Sequence, residues 1–518
     1  MLWPILQRYS QDRVIPVMHI PNRRRLWTTV CLVLMISPAC ERSDHGRFHS
    51  NKPLAGVEVA PLHLLSYGLA VGDVSEQSAV IWVKTNGPAK GTVDYWSEST
   101  TTPQDNPPHP VDPVQEHRIS FQTEADHDFV KHVALAGLSP ATRYTVRIRA
   151  SNEPAPSPDS RIASAPAGEE LLGGFKTLAA SHAQDPVTFG WSADVGGQTR
   201  CRRDGPGYAV FDVARSQRLD FFLLLGDTVY ADESCPAPPN APGSDFKAAT
   251  LEEYRAKHRY QRGSSALQQF LALVPVYAVW DDHEVQNNFA GPYEPRMPIG
   301  RQAFFEYWPI RTAPDDPHRL YRSFRAGAAV EIFILDTRQY RSRNSQPDGP
   351  SKSMLGSAQL KWLLAALEHS SATWKVIASS VPLSVPKGGP PYEPGNDGWA
   401  GGSDGTGFET ELKVIVDHIM ARRISNVVWL TGDVHFVEAN AYDADGDGTH
   451  DFHEFVAGPL AAATKGPMAV KSPFAVRTLV AEGGYLNFGK VRVDVSTLDV
   501  TILDDAGTVR FTHRLLAQ

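Results

Sequence analysis

Four short segments of this 518-residue chain concentrate carboxylates and imidazoles. Asp194 follows one apolar run, Gly226-Asp227-Thr228-Val229-Tyr230 a second, Asp281-Asp282-His283-Glu284 a third and Gly432-Asp433-Val434-His435 a fourth. Any one alone reads as turn chemistry, since Asp in a Gly-Asp turn commonly hydrogen-bonds its own backbone. Four of them, each closing an apolar run, point to one shared site. Gathered without a compensating Lys or Arg, such carboxylates repel one another and lose water, and bound cations remove that penalty. Oxygen and imidazole donors with no required thiolate suit iron, manganese, zinc, magnesium or calcium, and a Tyr three residues after an Asp suits a hard trivalent ion. Two ions about 3.5–4 Å apart would generate hydroxide from water and stabilise a phosphoryl group in transfer. A phosphoester is the expected substrate.

Positioning those segments requires a sheet. The apolar runs at 187–193, 221–225, 276–280, 375–381 and 427–431 have strand length, and amphipathic stretches at 356–369 and 408–422 alternate with them, which predicts a layered α/β domain. In such sheets ligands meet the carboxyl ends of the strands, where the acidic segments stand. Residues 433–518 return to short strands. Before a linker at 179–186, residues 56–178 carry period-two runs such as Ala79-Val80-Ile81-Trp82-Val83 and predict a small β-sandwich. Forty Gly and forty Pro exclude a helical bundle. A net charge of −8, with no basic stripe after residue 30, argues against duplex nucleic acid as a partner.

The segment Gly137-Leu138-Ser139-Pro140-Ala141-Thr142-Arg143-Tyr144 resembles the Leu-x-Pro-x-Thr-x-Tyr corner of fibronectin type III domains. Over most of 56–518 the chain resembles the PhoD-like alkaline phosphatase and phosphodiesterase family of the calcineurin-like metallophosphoesterase and purple acid phosphatase superfamily. That resemblance implies an α/β fold, a four-layer αββα sandwich at 187–518, preceded by a small all-β fibronectin III-like domain at 56–178. It implies that Asp227 bridges two metals and that Tyr230 and His435 meet ferric iron. Trp280-Asp281-Asp282-His283-Glu284 then supplies Asp282 to the second metal and His283 to the substrate, and Asp433 joins Asp282. Fe(III) with Ca(II) is the implied pair, and the implied activity is hydrolysis of phosphomonoesters or phosphodiesters by a metal-bound hydroxide. One departure is Ser192-Ala193-Asp194, where many members have Ser-Cys. Asp194 remains an expected ligand, but the harder donor admits Mn or Zn. A Val-x-x-His motif of the wider superfamily has no match in Ala378-Ser379-Ser380-Val381-Pro382, which favours an oxygen-rich, calcium-like second site. His283 is the expected general acid, its ring oriented by Glu284 or Asp281.

Around this centre, Asn287 and Asn288 are candidate donors to phosphate oxygens, and Arg202, with Arg203 beside it, a candidate phosphate clamp. The Gly-rich stretch 388–407, with Asn396-Asp397-Gly398-Trp399 at its centre, resembles the family's Asp-x-Trp loop and reads as a substrate lid carrying Trp399. Asp443, Asp445, Asp447 and Glu454 meet the spacing of a calcium loop, but their flanks read as strands, so the candidate is a surface calcium site on a hairpin turn. This loop and the β-sandwich support an alternative, a non-catalytic calcium-dependent surface or adhesion protein, which explains neither His283 nor the Gly-Asp-x-x-Tyr spacing.

At the amino terminus, Arg23-Arg24-Arg25 precede an apolar run at 26–39 that ends in Ser37-Pro38-Ala39-Cys40. Residues 1–39 read as a signal peptide resembling the twin-arginine type, with Met18 as an alternative start and 40–55 as a tether. Cys40 is a candidate lipid anchor, with plain cleavage near Ala39 as the alternative. Export to the periplasm or the membrane surface is expected. Cys201 and Cys235, an even pair in an oxidising compartment, are then expected to form a disulfide.

Overall fold

The computed structural model describes residues 63–98, 116–152, 168–388, 395–402 and 404–518. The expected leader at 1–39, the tether at 40–55 and Cys40 lie outside the described residues.

Seven strands come first: β1 (Leu69–Gly72), β2 (Ser78–Lys84), β3 (Ala89–Ser97), β4 (His117–Thr123), β5 (Val130–Ala136), β6 (Arg143–Asn152) and β7 (Glu169–Lys176). Buried and open positions alternate along β5 and β6, as in strands with one packed face. β1, β2 and β5 face a sheet of order β4-β3-β6-β7 across Val71, Ile81, Val93, Val146 and Ile148, the fibronectin III-like arrangement. The Tyr144 hydroxyl accepts from the Ser139 amide at 2.9 Å and closes the corner.

Strands and helices then alternate. β8 (Val187–Ser192), α1 (Val210–Ser216), β9 (Phe221–Leu225), α2 (Leu251–Arg262), α3 (Ser265–Leu273), β10 (Val276–Val279) and α4 (Met297–Tyr307) form the first half. β11 (Arg322–Ala326), β12 (Val330–Ile334), α5 (Gly356–His369), β13 (Trp374–Ala378), α6 (Glu409–Ala421) and β14 (Val427–Thr431) follow. β15 (Val437–Asp443), β16 (Phe452–Val456), β17 (Ala475–Glu482), β18 (Asn487–Val493), β19 (Thr497–Asp504) and β20 (Val509–Leu516) complete the chain.

Two large sheets result, of order β20-β19-β18-β8-β9-β10-β1-β2-β5 and β11-β12-β13-β14-β16-β15-β17. β9 and β14 are buried at every position, because parallel strands covered on both faces need unbroken apolar runs. Phe189, Trp191 and Leu224 of the first sheet share one core with Ile332, Val376 and Leu430 of the second. On the outer face of the second sheet, Leu363 and Leu367 of α5 and Ile415 and Ile419 of α6 cover Phe333, Ile377 and Trp429. On the first, Phe211 of α1 and Phe222 of β9 meet Phe270 of α3, with ring centroids 5.1 and 5.4 Å apart. The layers run αββα.

The expected boundary at 178–187 divides the sequence but not the sheet. Gly72 of β1 pairs in parallel with Val276 of β10, so the front strands extend the nine-stranded sheet. Side chains reinforce that seam. Asp128 takes Lys84 at 3.0 Å, Arg259 at 2.6 Å and the Tyr307 hydroxyl, while the Arg262 guanidinium lies 4.2 Å from the Trp82 ring. Among the described residues no helix is long and apolar enough to cross a membrane.

Candidate metal centre

The site is built at the carboxyl ends of β8, β9, β10 and β14. Asp194, Asp227, Asp433 and His435 all have positive φ, of 63°, 50°, 74° and 64°. Such backbone is uncommon outside glycine and costs about 1–3 kcal/mol per residue, a strain typical of places where function dictates conformation. Neighbouring loops hold these turns: the Asp194 amide donates to Gly226 O at 3.2 Å, Val195 to Asp227 O at 2.9 Å and Ala231 to His283 O at 2.9 Å. Both Gly-Asp pairs are consequences of crowding. A Cβ on Gly226, whose φ is 103°, would lie 2.4 Å from Asp281 Cβ, and one on Gly432 would lie 2.6 Å from Ala193 Cβ.

Glu284 staples two of these loops. Its buried carboxylate accepts from the amides of Asp227, Thr228 and Asp281 at 3.1, 2.6 and 2.9 Å and from the Thr228 hydroxyl at 2.7 Å. Burial raises it to about 7, against the pull of those donors.

Three groups of donor atoms, each within 4.8 Å, overlap at Asp227: Asp194, Asp227 and His435; Asp227, Asp282 and His283; Asp227, Asp281, Asp282 and Asp433. The Tyr230 hydroxyl lies 3.1 Å from Asp194 Oδ1 and 3.2 Å from His435 Nε2. His435 Nδ1–H donates to the Ala463 carbonyl, which leaves Nε2 facing the carboxylates, the tautomer a metal ligand needs. Across the site, His283 Nδ1–H donates to Asp232 Oδ1 at 2.7 Å, and the ring shares a donor group with Asp227 and Asp282.

The electrostatics fit cations. Asp194 Oδ2 and Asp433 Oδ2 are buried without a hydrogen-bond partner among the described residues. Burial and then the neighbouring carboxylates of Asp282, Asp281 and Asp194 hold Asp227 well above the usual carboxylate range. Burial and then the carboxylates of Asp194, Asp227 and Asp282 push the Tyr230 phenol up. Burial opposes charge on His283 too, but Asp232 and Asp282 beside it prevail and raise it to about 10. A carboxylate held neutral for want of a counter-charge is a donor that a hard cation would ionise and bind.

Residues 193–502 match the PhoD-like phosphatase family. The chain belongs to that family. It is 29% identical over 335 residues to alkaline phosphatase D of Bacillus subtilis (strain 168), a match covering 59% of this chain and 53% of that protein. The chain thus spans about half the length of the curated relative it matches. Its fold is similar to a structure of PhoD, with a TM-score of 0.65 at 21% identity over 88% of this chain and 93% of that one. It is also similar to the purple acid phosphatase PPD1 from yellow lupin (Lupinus luteus) seeds, at a TM-score of 0.55 and 12% identity over 87% of this chain and 74% of that one.

The fold thus brings Asp194, Asp227, Tyr230, Asp282, His283, Asp433 and His435 together, while other expectations need correction. Asp232, not Glu284 or Asp281, orients His283, because Glu284 is saturated by its four donors and Asp281 faces Arg338. The carboxylates are not without basic partners: Arg338 bonds Asp281 at 2.7 and 3.1 Å and Asp397 at 3.0 Å, and Lys387 bonds Asp433. Arg202 is turned away from the centre, its guanidinium 4.7 Å from the Tyr260 ring of α2. Trp399 is not a lid residue. It is fully buried, edge-on to Trp429 at 6.3 Å, and its indole donates to Ser379 Oγ at 3.3 Å. Asn287 and Asn288 stay beside the site, their amides donating to Asp232 Oδ2 at 2.9 Å and Asp282 Oδ2 at 2.6 Å.

In the hairpin turn, Asp443, Asp445 and Asp451 cluster, but the expected Asp447 and Glu454 do not join them. Glu454 points into the core from β16 and accepts from Leu383 N at 2.7 Å and Tyr442 Oη at 2.6 Å, since the strand alternation that buries Phe452 buries it too. Cys201 and Cys235 form a disulfide.

Proposed function

We propose that the protein is an exported, metal-dependent phosphoesterase. The observation that carries this reading is the place of Asp227 in all three buried donor groups, shared by Asp194 and His435 on one side and by Asp282 and Asp433 on the other. Asp194, Asp227, Tyr230 and His435, with a phenol and an imidazole among them, suit iron(III). Asp227, Asp282 and Asp433 present oxygen alone and suit calcium(II), with manganese or zinc admitted by the oxygen donor of Asp194. Ions held there supply an acidified water as nucleophile and offset charge on the phosphoryl oxygens.

The chain's own residues do the rest. Asp232 fixes the His283 ring by its bond to Nδ1, so the Nε2 proton is the one available to a leaving alkoxide. Asn287 and Asn288, tied down by their amides, hold the loop that carries His283 over the carboxylates. The Cys201–Cys235 disulfide supports an oxidising compartment and hence export.

Hydrolysis of bis-(nitrophenyl) phosphate and of nitrophenyl phosphate by the metal-loaded chain, beside an equally folded Asp227→Asn variant, tests this reading. Turnover that the variant loses is the expected result, and the ratio of the two rates assigns the preference between diesters and monoesters. A metal-loaded chain that turns over neither ester, nor any phospholipid or phosphate polymer offered to it, overturns the reading.

A further inference from the structure

Two basic side chains enter the carboxylate cluster, and they are held differently. Arg338 is fully buried and locked, with bonds to both oxygens of Asp281, a bond to Asp397 and Asp282 Oδ2 at 3.8 Å. It is the fixed counter-charge that Asp281 and Asp397 share, and withdrawing it would leave an excess of negative charge in the core. Lys387 is held by one end. Its side chain remains 18% exposed, its ammonium rests on Asp433 Oδ1, and the residue is anchored beside the site by the Asp397 amide, which donates to the Lys387 carbonyl at 2.9 Å. Asp433 Oδ2 has no hydrogen-bond partner among the described residues.

The two sides of the centre therefore differ in their built-in charge. Among the described residues, no Lys or Arg side chain is hydrogen-bonded to Asp194, Asp227 or His435. Asp433, on the other side, already carries an ammonium. A divalent ion on Asp433 Oδ2 and an ammonium on Oδ1 share one carboxylate's charge and repel across it, and the single charge on a four-carbon, 18% exposed stem is the one able to move.

Resting on the metal-centre reading above, we propose that Lys387 is a tethered competitor for the second metal ion. The first ion binds at Asp194, Asp227 and His435, where Lys387 and Lys465 act only from a distance and, among the described residues, no ammonium occupies a ligand oxygen. The second binds at Asp433 against the charge of Lys387, which weakens it until the lysine swings aside and makes the two ions enter in a fixed order.

The test uses the full disulfide-bonded chain, stripped with a chelator and titrated with Mn²⁺ alone at fixed pH and ionic strength. Bound ion is counted by equilibrium dialysis and electron paramagnetic resonance. Two classes of site are expected. Lys387→Met should tighten the weaker class by at least about tenfold while the tighter class moves less than twofold, and Asp433→Asn should remove the weaker class. Lys387→Gln keeps a polar head and serves if the Met variant does not fold. A readout without substitution accompanies these: acetylation of Lys387, followed by mass spectrometry, should rise several-fold as the second ion binds. An unchanged or weakened second class in both lysine variants, or acetylation that does not respond to Mn²⁺, overturns the proposal while leaving the metal centre intact. A wild-type chain that binds no Mn²⁺ in either class overturns the metal-centre reading and this proposal with it.

Discussion

At the scale of single residues, His283 is useful only while Asp232 holds its ring. Asp232→Asn should lower kcat about tenfold or more with KM, metal content and thermal midpoint unchanged. Steady-state kinetics beside metal analysis checks this, and an equal rise in KM would assign Asp232 to binding instead. Gly226 is bound by geometry: Gly226→Ala places a methyl on Asp281 in a left-handed backbone and should destabilise the fold by about 1–3 kcal/mol in chemical denaturation. The donors that the structure groups were legible in the sequence because each loop carries its own within five residues, as in Gly-Asp-x-x-Tyr. Asp232, Arg338, Lys387 and Asp397 were not, because their roles depend on partners 51, 57, 46 and 59 residues away. Asp397 stood within the quoted Asp-x-Trp motif, and the aromatic drew the attention that the carboxylate warranted. Strand-end position was the missed signal for Arg338, which follows β12 as the aspartates follow their own strands.

At the scale of elements, the parallel strands were readable because full burial demands unbroken apolar runs, and α5 falls on the amphipathic stretch at 356–369. Partners of strands were not readable. Nothing in Leu69–Gly72 states that it will pair with Val276, since register is a property of two segments at once. The connections from β8 to α1 and from β9 to α2 together form a patch of irregular chain, held where no ladder exists. The Cys201–Cys235 disulfide joins its two halves across 34 residues, and Tyr260 of α2 donates to Arg202 O at 3.0 Å beside it. Replacing both cysteines by serine should lower stability by about 2–4 kcal/mol, seen as a lower denaturation midpoint, and the loss should match that caused by reduction of the wild type. A double variant as stable as the parent would show that the patch is held by its packing alone.

At the scale of the molecule, the front strands are part of the fold's support. Asp128 sits between β2, α2 and α4, and Asp128→Ala would strand Lys84, whose side chain is 3% exposed, without its counter-charge and leave Arg259 with Glu252 alone. A loss of about 3 kcal/mol is expected, with early proteolysis at the seam, and a loss below 1 kcal/mol would make the front segment separable. Acid should unfold the whole. Burial and then Arg262 and Arg259 push His258 down to about 3, and burial pushes His132 down to about 4. Unfolded, both return to their ordinary 6.5, so the unfolded chain binds more protons between about pH 4 and 6.5. Stability is therefore complete above that window and is lost as pH falls through it. Urea midpoints at pH 7 and pH 5 should differ less in His258→Phe than in the wild type. The nine-stranded sheet has one more consequence, in time. β8 pairs with β18, Trp191 opposite Gly489, so the strand that presents Asp194 waits for nearly three hundred further residues before its second edge is covered. During synthesis that edge is open on the ribosome, and the first half of the fold must stay unaggregated with an unpaired strand edge until β18 has emerged.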